Sequence, residues 1–180
     1  MKSRGQVFSG EFILAYMVFL VVLTLVIYLW NTNYRAIGMA EGQKEIHYSA
    51  VNAAENLVRT SGSPTGWDRF NVESFGLVNM SRRLDPRKLL EFAESMNNSL
   101  SDGLCAPAGS TNYECRKYLL VGGYDASFEL RFLENDSVVA VDGTAISGGV
   151  SSGNSKSLVH VERSAILLDD IVVLNLEVWE

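Results

Sequence analysis

FILAYMVFLVVLTLVIYLW, residues 12 to 30, runs for nineteen residues without a charge. At about 1.5 Å per residue, a helix over this stretch covers roughly 30 Å, the thickness of a bilayer's hydrocarbon layer. The mean hydropathy of the chain is only slightly positive, so its apolar character is concentrated here and the remainder has a globular mixture. A chain of 180 residues has room for this anchor and one domain with a single core. A cleaved secretory signal would have a shorter apolar core, about 7 to 15 residues, closing on small side chains. This run closes on Tyr28-Leu29-Trp30-Asn31, bulky residues suited to an interfacial aromatic belt, and the helix is expected to stay on the chain as a membrane span.

The flanks set an expected orientation. Lys2 and Arg4 precede the run with no acid before Glu11, whereas Arg35, Glu41, Lys44 and Glu45 mix both signs beyond it. The positive-inside rule then places the N-terminus in the cytoplasm and the C-terminal part outside. Three N-x-S sequons, at Asn79, Asn97 and Asn135, all lie beyond the run and are candidate glycosylation sites. Cys105 and Cys115 flank a stretch containing Pro107, Gly109 and Asn112. A disulfide closing a short loop in an oxidising compartment is one reading, and two unpaired thiols is the other. A zinc site would need ligands that this region lacks.

Beyond Trp30 the helical pattern continues. Ile37, Ala40, Ile46, Ala50, Ala53 or Ala54, and Leu57 recur mostly at spacings of three and four, with Arg35, Lys44, Glu45, Glu55 and Arg59 largely on the other side. The turn-rich Thr60–Gly66 segment is expected to end this helix by Gly62 or Pro64. Asp85-Pro86 reads as an N-cap with proline in the first turn, opening a short helix through Leu89, Leu90, Phe92, Ala93 and Met96. From Tyr118 the pattern turns to period two: Phe128, Leu130 and Phe132 alternate with Glu129 and Arg131, and Val138 to Val141 follows the turn-like Asn135-Asp136. A Gly/Ser-rich loop from Ser147 to Ser157 precedes two strands, Leu158 to Leu168 and Ile171 to Trp179, joined by an Asp169-Asp170 turn. The expected class is α+β: a long N-terminal helix, half transmembrane and half amphipathic, packed on a four- or five-stranded antiparallel sheet.

Residues Ser3-Arg4-Gly5-Gln6-Val7-Phe8-Ser9-Gly10-Glu11-Phe12 join a short basic leader, a small residue before glutamine, and one acid at the mouth of the apolar run. This resembles the class III signal peptide of archaeal type IV pilins. In that family a prepilin peptidase cuts on the cytoplasmic side and leaves the apolar helix on the mature chain. The resemblance implies cleavage between Gly5 and Gln6, with residues 1–5 as leader, 6–30 as transmembrane and assembly helix, and 31–180 as an extracytoplasmic α+β domain. It also implies copies of itself or other pilin-like subunits as partners, alongside the peptidase and membrane lipid. A cut after Gly5 makes Glu11 the sixth residue of the mature chain, where the family usually has its acid fifth; a cut after Gln6 would restore that spacing.

Glu11 has a rationale of its own, since a carboxylate at the membrane boundary is costly unless paired. In a filament it would pair with the freed N-terminal amine of a neighbour; otherwise it sits among headgroups. Catalytic chemistry is not indicated. His47 and His160 belong to no metal-spaced or nucleophile motif, Gly122-Gly123 and Gly148-Gly149 read as turns rather than phosphate loops, and no cofactor is expected. A net charge of -6, two units more negative without Lys2 and Arg4, speaks against a general nucleic-acid surface. Two functions follow as expectations: a non-catalytic pilin-like filament subunit, or a non-polymerising anchored domain that binds a partner outside the cell.

Overall fold

The computed structural model of the chain describes residues 5–79, 83–103, 105, 109–153 and 155–180. Lys2 and Arg4 of the expected leader, Met80 and Ser81 of the first sequon, and the side chains of Gln6, Arg35, Ile37 and Ala40 lie outside the described residues. The first helix, α1, spans Gly5–Arg59, and the chain divides into two compact units, Met1–Gln43 and Lys44–Glu180.

The first unit holds the apolar stretch Gly10–Thr32, long and apolar enough to cross a membrane and with none of it buried inside the protein. Its two threonines turn their hydroxyls back on the helix. Thr24 Oγ1 donates to the Leu20 carbonyl at 2.8 Å, and Thr32 Oγ1 to the Leu29 carbonyl at 3.0 Å. Such internal bonds leave neither hydroxyl unsatisfied against an apolar medium.

In the second unit the last turns of α1 bury Ile46, Ala50, Ala53, Ala54 and Leu57, the stripe expected from their spacing. The helix stops at Arg59, short of Gly62 and Pro64. Its last carbonyls are taken by a returning segment: Leu77 N–H donates to Leu57 O at 2.9 Å and Val78 N–H to Thr60 O at 3.0 Å. The Trp67 indole N–H and the Lys88 ammonium both donate to Ser61 O, at 3.1 and 2.6 Å. Orphan carbonyls at a helix end need such partners.

The second helix, α2, spans Pro86–Ser95, and the Asp85 side chain caps it by accepting from Arg87 N–H. A third helix, α3 (Asn112–Val121), replaces the start of the expected strand region at Tyr118. Thr111 and Glu114 form a reciprocal capping box at its N-terminus, with bonds of 3.2 and 3.0 Å. This local cap outweighs a weak apolar periodicity.

Strands β1 (Asp125–Phe132), β4 (Ser147–Gly149), β5 (Leu158–Leu167) and β6 (Asp170–Trp179) form one antiparallel sheet in the order β4-β1-β6-β5, with a separate small hairpin of β2 (Ala140–Val141) and β3 (Thr144–Ala145). The stretch Ser147–Gly149, expected as loop, is therefore an edge strand. Gly148 makes this possible, because a Cβ there would strike the Phe128 ring and the Met96 carbonyl. The last hairpin turns one residue earlier than expected: Leu167 pairs with Asp170, and Leu168 holds φ +57°. Sliding this pair by two residues keeps every side chain on its face, so alternation could not select the register.

One buried cluster joins the α1 stripe to Phe92, Met96, Phe128, Leu130, Val161, Leu174 and Leu176. At the start of β1, Tyr113 Oη donates to Asp125 at 2.9 Å and accepts from the buried Ala126 N–H at 2.8 Å, while Lys117 Nζ reaches the same carboxylate at 2.7 Å. Burial pushes the Asp125 carboxyl up, but the bonds from Lys117 and Tyr113 outweigh it and hold the group below its ordinary 3.8. A depressed folded-state pKa contributes stability that is present above the unfolded value and fades as pH falls through the folded one. Wild type is therefore expected to lead Asp125→Asn in urea midpoint at neutral pH, with the lead shrinking as pH falls below the ordinary carboxylate range. A lead that stays constant with pH would refute this.

Candidate functional site

Two regions carry the sequence candidates: the N-terminal end of α1 and the surface of the second unit. The Gly5–Gln6 bond begins the helix as described. Glu11 follows one residue after Gly10, exposed at the mouth of the apolar stretch. Among the described residues no hydrogen bond or ion pair reaches its carboxylate. Phe12 and Trp30, at the two ends of the run, stand 70% and 73% exposed. Exposed apolar surfaces of this extent mark sites that meet lipid or other proteins.

Cys105 and Cys115 are joined as a disulfide, with Cα atoms 5.6 Å apart. The bond ties the start of α3 to the preceding loop, and closing a loop of this size contributes roughly 2–4 kcal/mol. The sequons differ in setting. Asn135 is exposed in the turn after β1, and its Oδ1 accepts from both the Ser137 hydroxyl at 2.7 Å and the Ser137 N–H at 3.1 Å. Asn97 is half-buried beside α2, with Oδ1 accepting from Ser99 N–H at 2.7 Å.

The sequence reading missed a polar constellation on the outer face of the sheet. Ser127, Glu129 and Arg131 of β1, His160 of β5, and Asn175 and Glu177 of β6 line an open groove of about 640 Å³. Strand alternation could have placed each on that face, but strand order, which brings β5, β6 and β1 side by side, is not legible in the pattern. His160 Nε2 lies 3.2 Å from Glu162 and Nδ1 3.6 Å from Glu177. The Ser127 hydroxyl in the groove donates to Glu177 at 3.4 Å. A nucleophile needs its base within hydrogen-bond reach, and this pairing does not provide it. His47 stands exposed on α1. No group of three or more His, Cys, Asp or Glu side chains suited to a metal occurs among the described residues.

The remaining candidates have structural roles. Gly122 closes α3 with φ +67°, and Gly148-Gly149 belongs to β4 rather than to a turn. Asp169 sits in the β5–β6 turn, where Arg83 Nη1 holds it at 3.2 Å and the Leu168 carbonyl at 2.8 Å, while Asp170 opens β6. Arg69 pairs with Glu94 and lies 3.3 Å from Asp102, fastening the Asp68–Val72 loop to α2.

The chain matches no protein-family model, no curated protein and no solved structure.

Proposed function

We propose that the chain is a non-catalytic, pilin-like subunit of an archaeal surface filament, made with a prepilin-type leader that is cut between Gly5 and Gln6. The observation that carries this reading is an exposed apolar helix with a single carboxylate, Glu11, at its N-terminal mouth, joined to a separate α+β unit. Before assembly the helix would span the membrane, with the N-terminus inside and the α+β unit outside. After cleavage, apolar helices of several copies would bundle, and Glu11 would meet the amine freed at Gln6 of a neighbour, offsetting the desolvation of both charges. Loss of Lys2 and Arg4 would remove the charges that hold the N-terminus at the cytoplasmic face. The partners on this reading are lipid, the peptidase and other pilin-like subunits.

The deciding experiment is the intact mass and N-terminal sequence of the protein isolated from its native membrane. A chain beginning at Gln6 is expected, and glycans at Asn79, Asn97 or Asn135 would appear in the same mass. A chain still beginning at Met1 would overturn processing and leave a non-polymerising, membrane-anchored binding domain. For assembly, Glu11→Gln is expected to leave the amount of protein in the membrane unchanged while abolishing filaments seen by electron microscopy. Filaments at wild-type abundance would remove Glu11 from the mechanism.

A further inference from the structure

We infer that β5 is a strand-addition edge through which the second unit pairs, antiparallel and two-fold, with β5 of a second copy of this chain. The sheet ends on β4 at one side and β5 at the other. The β4 edge is covered, since Gly149 N–H donates to Met96 O at 2.8 Å and Gly149 bridges Asn97. Among the described residues the β5 edge is covered only at its far end, where Leu84 N–H donates to Ile166 O at 2.8 Å.

The direction of the remaining backbone groups follows from the register. Ile166 lies opposite Ile171, whose carbonyl turns the other way, to Leu133 N–H on the β1 side at 3.0 Å. That pair therefore exchanges no bonds, and Ile166 presents its N–H and C=O outward, as the Leu84 bond confirms. Residues alternate along a strand, so Leu158, His160, Glu162 and Ser164 also present their backbone groups outward. Among the described residues none bonds these groups, except that Arg163 Nη1 donates to its neighbour's carbonyl, Glu162 O, at 2.8 Å. A row of open donors and acceptors this long is a template for another strand.

Charge selects the occupant and the register. An antiparallel second β5 centred on Val161 sets His160 opposite Glu162 of the second copy, and Glu162 opposite its His160. Leu158 then faces Ser164, and about eight backbone bonds form across the edge. Centring on Glu162 would oppose glutamate with glutamate, and centring on His160 would oppose histidine with histidine, both unfavourable when charged. The sequence of this edge is thus complementary to itself in one register. The pairing closes after two copies, whereas a filament needs open head-to-tail contacts. The inference consequently does not rest on the proposed function.

The test uses the full chain in detergent micelles, carrying Leu158→Cys and Ser164→Cys together, under mild oxidation. Residues 158 and 164 are too far apart along one strand to bridge within a copy, but they face each other across the proposed pair at about 5.5 Å between Cα atoms, within disulfide reach. The expected result is a reducible species at about twice the 19.8 kDa of one chain, absent from either single variant. Adding Glu162→Pro is expected to abolish it, because proline removes an outward N–H while sparing the ladder to β6. No dimer from the double variant, equal dimer from the singles, or a dimer indifferent to Glu162→Pro would each overturn the inference.

Discussion

Phe92→Ala is expected to cost the second unit about 3–5 kcal/mol, enough to unfold much of the population of a marginally stable domain. The ring is 0% exposed and stands in the middle of an aromatic row. Its centroid is 5.0 Å from Phe75 at an interplanar angle of 75° and 4.5 Å from Phe128, and Phe75 in turn meets Trp67 edge-on at 5.5 Å. The row links the returning loop, α2 and β1, so its removal opens a cavity where three segments meet and none can collapse without moving another. Leu133, 59% exposed, supplies the comparison: Leu133→Ala should stay within about 0.5 kcal/mol. The check is guanidinium unfolding followed by the fluorescence of Trp67 and Trp179. A loss for Phe92→Ala no greater than that of Leu133→Ala would mean that the aromatic row does not hold the core together.

Gly149→Ala is expected to be nearly as damaging, by about 2–5 kcal/mol, from overpacking and backbone strain together. Gly149 holds φ +98°, and a Cβ on it would collide with the Ala126 carbonyl and the Ser127 Cα of β1. Neither atom can yield, because Ala126 is itself held by the Tyr113 hydroxyl and by Val150 N–H. The strand would have to leave the sheet, freeing the Met96 carbonyl and the polar groups of β1. Gly123 offers the control, since a Cβ there meets nothing within 4 Å, and Gly123→Ala should stay near wild type. Hydrogen exchange would locate the damage, with protection expected to fall first in β1 and at Gly149. Equal stability of the two alanine variants would show that β4 contributes nothing to the sheet.

Features whose physical cause is local and periodic can be read along the chain. Nineteen uncharged residues make an apolar helix wherever they are placed, and the stripe from Ile46 to Leu57 faces a core because its spacing matches the helical turn. The Asp85-Pro86 start needs only its own carboxylate and ring, and the Phe128–Leu130–Phe132 alternation needs only the pleat. Other signals were present and unread: Thr111 with Glu114 is a capping box for α3, and Asp142-Gly143, with φ of +49° and +81°, is the turn that makes the β2–β3 hairpin. The rest depends on which segments meet across the fold. The end of α1 waits on Leu77 and Val78, residues about twenty positions away. Ser147–Gly149 becomes a strand only because β1 and Met96 offer bonds on either side of it. The register of β5 on β6, which alternation leaves open, fixes which backbone groups point outward at the edge. The groove around His160 exists only because the order β4-β1-β6-β5 brings side chains from distant strands onto one face.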